Sequence, residues 1–284
     1  MNDPLVYLNG AMTPLSEAKI PVLDRGFIFG DGIYDVVPFY GRRPLRPTQH
    51  IARLMRSMAA IGITSPHDEA GWMALCDSVV AASPLADQML YIQVTRGVAP
   101  RRHTFPAQVT PTVFIMSNPL VPPSASERAT GLSCVSLDDK RWLRCEIKST
   151  SLLGNVLAAQ YAVEHDAIES IQFRDGFLTE GSSTNAWIVK DGVLLAPPKD
   201  NLILEGIRYR FIEELCMECG IPFEARRISR AEVDEADEIL LSSATKEVIN
   251  VTTFDSKPVG DGRPGPVGEQ LYAAYQRVKA GLAG

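Results

Sequence analysis

Lys148 lies in the stretch RWLRCEIKST, residues 141–150, where charged and apolar residues alternate. Read as a strand, the stretch puts Trp142, Arg144, Glu146 and Lys148 on one face and Leu143, Cys145 and Ile147 on the other. A lysine at a strand end is either a solvated cation or, held inside the protein, a primary amine that can attack an aldehyde and then shuttle protons. Arg144 on the same face disfavours a second positive charge and Glu146 favours it, so alternation leaves both readings open. Glu180 stands in TEGSSTN (179–185), where an apolar run gives way to the hydroxyls of Ser182, Ser183 and Thr184. It is a turn glutamate, or a carboxylate that meets a ring nitrogen and keeps it protonated.

Other stretches suit anions. In LEGIRYRF, Gly206 precedes a helical pattern and leaves the amides of Ile207 and Arg208 able to face a negative group, with the helix dipole adding to the attraction. SSATKE (242–247) offers the hydroxyls of Ser243 and Thr245 and the amides around Ala244; a helix or turn without a ligand has the same sequence. In PRRHTFP, Arg101, Arg102 and His103 cluster between prolines. They form a solvated basic turn, or a fork plus second donor for a carboxylate. The glycines of GFIFGDG (26, 30 and 32) lack the dinucleotide-binding arrangement.

The elements that must position these groups alternate between strand and helix. PLVYLNG and GIYDVVPFY read as strands. TQHIARLMRSMAAIGI places Ile51, Leu54, Met55 and Met58 at helical spacing, with Arg53 and Arg56 off that stripe. A helix around Trp72, Met73, Cys76, Val79 and Val80 is followed by the β-rich runs MLYIQVTRG and PTVFIM. SNPLVPPSASE has three prolines and no periodicity and marks a linker. The expected division is a small α/β domain over 1–118, a linker over 119–127 and a second domain over 128–284. In the latter, GLSCVSL and the Lys148 stretch precede a helix at LLGNVLAAQYAVEH. A β-rich run from Ser170 follows, with a hairpin at the Asp-Gly of KDGV. LEGIRYRFIEELCMECG reads as a helix entered after Gly206, DEILLSSATKEV as a strand, a turn and a helix start, and GEQLYAAYQRVKAGL as a final helix. Two α/β lobes place a ligand in the cleft between them.

Bulk properties narrow the class. The 284 residues are 45% hydrophobic and 22% charged, with net charge −6 and no basic cluster, which argues against nucleic-acid binding. No apolar run approaches the ~20 residues of a membrane span, and MNDPLVYLNGAM does not read as a signal peptide. Five cysteines, an odd number without framework spacing, suit a reducing compartment and a cytoplasmic location. The Cys216-x-x-Cys219 pair falls in a helix interior and has no second ligand pair for zinc.

Taken in order and spacing, DRGFIFGDGIYDVV, YIQVTRGVAPRRHTFP, RWLRCEIKSTSLLGNVLA, TEGSSTNAW, LILEGI and SSATKE resemble the D-amino acid aminotransferases. These are fold-type IV pyridoxal-phosphate enzymes of the branched-chain aminotransferase-like superfamily. The resemblance spans residues 5 to 275. It implies an α/β (α+β) enzyme of two domains, a smaller N-terminal lobe and a larger C-terminal lobe with a β-barrel-like core. It implies that Lys148 forms the internal aldimine with pyridoxal 5'-phosphate and that Glu180 pairs with the ring nitrogen. Arg53 matches the arginine on the phosphate, helped by Gly206, Ile207 and the Ser243-Ala244-Thr245 turn. Leu204 matches the side chain packed on the ring, and Ser183 and Val36 lie near the cofactor and the substrate pocket. Tyr34, Arg101 and His103 match a trap for the substrate carboxylate, with the loop reaching over from the neighbouring subunit of a homodimer. Substrates would be D-amino acids and 2-oxo acids such as 2-oxoglutarate, in a ping-pong reaction.

Three positions depart from the pattern: Ala244 and Arg208 replace threonines, and Arg102 adds a charge beside the trap. The alternatives are a branched-chain L-aminotransferase, an aminodeoxychorismate lyase, an (R)-amine transaminase, or a binding module that kept the fold.

Overall fold

A computed structural model describes residues 3–282. Contacts divide the chain into two units. The first runs to Val121 and takes in Ile147–Leu152; the second comprises Pro122–Glu146 and Leu153–Leu282. The segment around Lys148 thus belongs with the first unit, although it follows the linker in sequence. The expected linker over 119–127 is only partly irregular. Ser124 and Glu127 form a reciprocal capping box that starts a short helix, because the hydroxyl and the carboxylate satisfy otherwise orphaned amides.

The first unit contains β1 (Leu5–Leu8), β2 (Ala11–Pro14), α1 (Arg25–Phe29), β3 (Gly32–Tyr40) and β4 (Arg43–Pro44). It continues with α2 (Pro47–Ala60), α3 (Glu69–Ala82), β5 (Gln88–Thr95) and β6 (Thr112–Pro119). The strands form one antiparallel sheet in the order β2-β1-β6-β5-β3-β4. β3 pairs with β5 from Gly32 opposite Thr95 to Phe39 opposite Gln88. Ile33, Val37 and Phe39 alternate onto the core face, where they join Ile51, Leu54 and Met58 of α2 and Trp72 and Val79 of α3. The apolar stripe anticipated on α2 is this contact, with Met55 at its margin.

The second unit begins with α4 (Ala125–Thr130), β7 (Leu132–Asp138), α5 (Leu153–Glu164), β8 (Glu169–Arg174) and β9 (Phe177–Gly181). Then come β10 (Asn185–Lys190), β11 (Val193–Ala196), α6 (Ile207–Cys219), β12 (Phe223–Ala225) and α7 (Arg230–Asp234). β13 (Glu238–Ser243), β14 (Glu247–Phe254), β15 (Lys257–Pro258) and α8 (Pro266–Gly281) complete it. The mixed sheet runs β12-β11-β10-β13-β14-β7-β8-β9 with β15 beside β14, and it curls into a half-barrel. The Asp-Gly hairpin forms as expected: Asp191 and Gly192 have φ of 51° and 76°, the pair of positive values a tight β10–β11 turn demands.

Two expected elements differ. Residues 141–150 are not a strand, and of the expected core face Cys145 and Ile147 are buried while Leu143 is exposed. The backbone amides explain this, because they go to separate partners rather than to one neighbouring strand. Cys145 N bonds Asn201 O (2.9 Å), Lys148 N bonds Ser57 Oγ (3.3 Å) and Thr150 N bonds Gly32 O (2.9 Å). The residues after SSATK continue as β14 rather than a helix, since Val248, Ile249 and Val251 pair with β13 and are buried. Among the described residues no helix is long and apolar enough to cross a membrane.

Ile92 is fully buried in β5. Ile92→Ala is expected to destabilise the protein by about 2–5 kcal/mol, read as a lower midpoint in chemical denaturation.

Candidate active site

In the first unit the site residues gather around β3. Strand alternation puts Tyr34 and Val36, both half-buried, on the face opposite the core. Asp35 falls on the core face between Ile33 and Val37 and has no exposure. A bare carboxylate there would be costly, and α2 supplies its partners. Arg53 Nε and Nη2 donate to Asp35 Oδ2 and Oδ1 at 2.8 and 2.9 Å, and His50 Nδ1 lies 2.7 Å from Oδ1. Burial pushes the Asp35 carboxyl up, but Arg53 and then His50 outweigh it and hold the group well below the ordinary carboxylate range. Arg53, off the apolar stripe of α2, is buried because it meets this charge.

Lys148 is fixed by its backbone. Its amide donates to Ser57 Oγ, its carbonyl accepts from Tyr34 N (2.9 Å), and Ser149 makes an isolated bridge to Ile33. The segment is therefore docked on β3 and α2 without being a strand. The Lys148 ammonium lies over the Tyr34 ring, 4.2 Å from its centroid. Arg144 and Glu146, whose roles alternation left open, form a largely exposed ion pair with each other.

The basic loop is built differently. Arg101 and His103 are exposed and pack on Phe29, at 5.3 and 5.4 Å. Arg25 donates to Arg102 O through Nη1 (2.6 Å) and to Asp31 Oδ2 through Nε (2.7 Å). No hydrogen bond, ion pair or ring contact among the described residues joins Arg101 or His103 to Tyr34 or Lys148.

In the second unit Glu180 is the penultimate residue of β9, with 5% exposure. Arg141 Nη1 donates to its Oε1, while Asn185 Nδ2 (3.2 Å) and the Leu204 amide (3.0 Å) donate to Oε2. Arg141 also grips Asp139 through Nε and Nη2 at 2.9 and 2.8 Å, and Arg174 reaches the same aspartate at 3.0 Å. Burial raises the Asp139 carboxyl, and the Arg141 hydrogen bonds and charge, with Arg174, more than reverse it. Asn185 Nδ2 closes the ring by donating to Leu204 O (2.8 Å). Gly206 belongs to this arrangement by size: a Cβ there would collide with Asn185 Oδ1. It caps α6 without a side chain, leaving the amides of Ile207 and Arg208 at the helix start.

The turn after β13 faces inward on itself. Ser243 Oγ accepts from the amides of Thr245 (3.4 Å) and Lys246 (3.0 Å), and the Ala244 carbonyl accepts from Arg208 Nη2 (3.5 Å). Ser183 is held by Glu169, a carboxylate 1% exposed. Glu169 also accepts from Ser182 N (2.9 Å), Ser182 Oγ and Thr184 Oγ1 (3.2 Å), which folds TEGSSTN into a fixed corner.

The structure thus draws Tyr34, Arg53 and Lys148 together in one unit, and Glu180, Leu204 and Gly206 in the other. Among the described residues, Arg101 and His103 make no direct contact with Tyr34 or Lys148. Asp35, His50, Ser57, Asp139, Arg141 and Glu169 support the site but carry no motif. Asp35 leaves a trace in the sequence, as an acid within an otherwise largely apolar strand. Cys216 and Cys219 lie on α6, the first fully and the second partly buried.

The fold and these groups define an aminotransferase, and comparison with known proteins agrees. The amino-transferase class IV family matches residues 32–254. A D-alanine aminotransferase of Bacillus licheniformis is 40% identical over 271 residues, covering 95% of both chains, and one of Staphylococcus aureus is 38% identical over 96% of both. The branched-chain amino acid aminotransferase of Escherichia coli superposes with a TM-score of 0.93 at 25% identity, over 99% of this chain and 96% of that one. That of Thermoproteus uzoniensis, with norvaline, gives 0.90 at 24%, over 99% and 96%. A further branched-chain amino acid aminotransferase, solved with pyridoxamine 5'-phosphate, gives 0.93 at 22%, over 99% and 95%.

This chain belongs to the amino-transferase class IV family and is a pyridoxal-phosphate-dependent enzyme. The residues present suit that cofactor. Lys148 offers an amine, Glu180 an oriented carboxylate, and the α6 start offers uncapped amides beside the buried Arg208, whose Nε and Nη1 have no partner.

The buried charges can be tested one at a time. Arg141→Met strips Asp139 and Glu180 of their shared cation and is expected to cost about 3–5 kcal/mol, measured by urea unfolding. Asp35 binds protons less readily folded than unfolded. Its contribution is complete above the ordinary carboxylate pKa of about 4 and is lost as pH falls below that. Asp35→Asn, scanned between pH 7 and 2, is expected to lose stability at neutral pH and to show a shallower acid decline than wild type.

Proposed function

We propose that the enzyme transfers the amino group of a D-amino acid, of the alanine or glutamate type, to a 2-oxo acid such as 2-oxoglutarate. The observation that carries this is 40% identity over nearly the whole of both chains with a D-alanine aminotransferase. The Arg101-x-His103 loop supports it as a carboxylate trap. Bound pyridoxal phosphate supplies the aldehyde that takes up the amino group and the ring that draws electron density from the substrate α-carbon.

The chain does the rest. The Lys148 amine removes the α-proton and returns it later in the half-reaction. Tyr34, under that amine, limits where it can swing. Glu180 meets the ring nitrogen, and the donors on both of its oxygens keep it aimed. Leu204 packs on the ring, with Ser183 and Val36 at the cofactor and substrate ends. Arg53, oriented by Asp35, and the Gly206–Ile207 and Ser243–Thr245 segments bind the phosphate. A 2-oxo acid then reverses the sequence, so kinetics are ping-pong.

Arg101 and His103 are exposed and make no direct contact with Tyr34, which supports their serving a second copy's site in a homodimer. Leu153, Val156 and Leu157, spaced along one face of α5 and 58–71% exposed, offer apolar surface for such a contact. Five free cysteines fit a cytoplasmic setting.

D-Alanine or D-glutamate is expected to shift the visible absorbance of the holoenzyme and L-valine to leave it unchanged; the reverse would favour a branched-chain L-aminotransferase. Lys148→Ala should abolish that absorbance and turnover together. Mixing inactive Arg101→Ala and Lys148→Ala proteins, with subunit exchange, should restore about a quarter of wild-type activity, because half the dimers then hold one intact shared site. No recovery would place the trap within its own subunit.

A further inference from the structure

Arg208 is the second residue of α6 and is 2% exposed, yet its Nε and Nη1 have no hydrogen-bond partner. Its single polar contact is a long one, Nη2 to the Ala244 carbonyl at 3.5 Å, and no carboxylate pairs with it among the described residues. An interior guanidinium without a counter-charge is costly, so its retention calls for an anion. The Ala244 contact aims the group at the turn that follows β13. That turn contributes Ser243 and Thr245, both half-buried, and Ala244 offers no hydroxyl of its own. The start of α6 adds amides that no side chain caps. A further polar group on the same side is unsatisfied: Tyr275 is fully buried, its hydroxyl has no partner, and its ring centroid is 5.8 Å from Arg208 Cζ. Unfilled donors from a guanidinium and a helix start thus converge beside one turn.

We infer that Arg208 is a cofactor-anchoring residue that gives the phosphate of pyridoxal phosphate a guanidinium partner in addition to the backbone amides. This rests on assigning the α6 start and the Ser243–Thr245 turn to that phosphate. A guanidinium matches a phosphate dianion better than a hydroxyl does, since it carries the opposite charge and presents paired N–H groups. The same cation makes the apoenzyme a receptor for inorganic phosphate, which competes with cofactor loading.

The test uses wild-type apoenzyme and the variants Arg208→Gln and Arg208→Lys, checked for folding by circular dichroism. Dissociation constants are measured for pyridoxal phosphate and for pyridoxal, which lacks the phosphate, and melting temperatures are recorded with and without inorganic phosphate. Arg208→Gln is expected to weaken pyridoxal phosphate about 10- to 100-fold, to leave pyridoxal unchanged, and to abolish the melting-temperature rise with phosphate. Arg208→Lys, a point charge without the fork, should show a smaller loss of the same kind and keeps the test open if the glutamine variant does not fold. Wild-type affinity for pyridoxal phosphate in a folded variant, or equal losses for both ligands, would overturn the role. Failure of the wild-type protein to take up pyridoxal phosphate at all would instead overturn the phosphate assignment beneath it.

Discussion

A carboxylate taken out of water must be met by cations or hydrogen-bond donors close at hand, and this requirement organises both units. Asp35 draws Arg53 and His50 of α2 onto β3, so helix and strand are joined by charge as well as by the Ile33–Leu54 core. Asp139 and Glu180 share Arg141, which ties the end of β9 to the segment leading into α6 through Asn185 and Leu204. Glu169 gathers three consecutive hydroxyl residues and so shapes the corner after β9. Losing any one of these anions would leave a cation or several donors unmatched, which is why each anchor is also a restraint on a site residue.

The restraint is graded. Arg53, Glu180 and Leu204 are held by hydrogen bonds to buried partners. Lys148 is fixed at its backbone while its side chain rests on an aromatic face. Arg101 and His103 are the least constrained, held by ring contacts to Phe29 and by Arg25 bonding to the loop carbonyls.

The local elements were largely legible. The α2 stripe, the β3 and β5 runs, the Asp-Gly hairpin and the entry of α6 after Gly206 all follow from periodicity and turn chemistry. The Lys148 stretch misled because alternation is a necessary mark of a strand and not a sufficient one. Only Thr150 finds an amide acceptor on β3, while the amides of Cys145 and Lys148 go to Asn201 and Ser57, so the segment touches the strand without joining its ladder. SSATKEV misled in the opposite way, since its hydroxyl-rich turn resembles a helix cap until the β-branched residues of β14 pair with β13.

By itself the sequence determined the chemistry on offer: an amine at Lys148, a carboxylate at Glu180, an uncapped helix start after Gly206 and a basic loop at Arg101–His103. These are properties of residue type and short spacing, which the chain carries wherever it folds. Tertiary structure alone decided which charges face each other. The pairing of Asp35 with Arg53 and the sharing of Arg141 by Asp139 and Glu180 join separate segments of the chain, while Arg208 is buried with no carboxylate beside it among the described residues. Only the packed interior, where water no longer competes, makes those pairings obligatory.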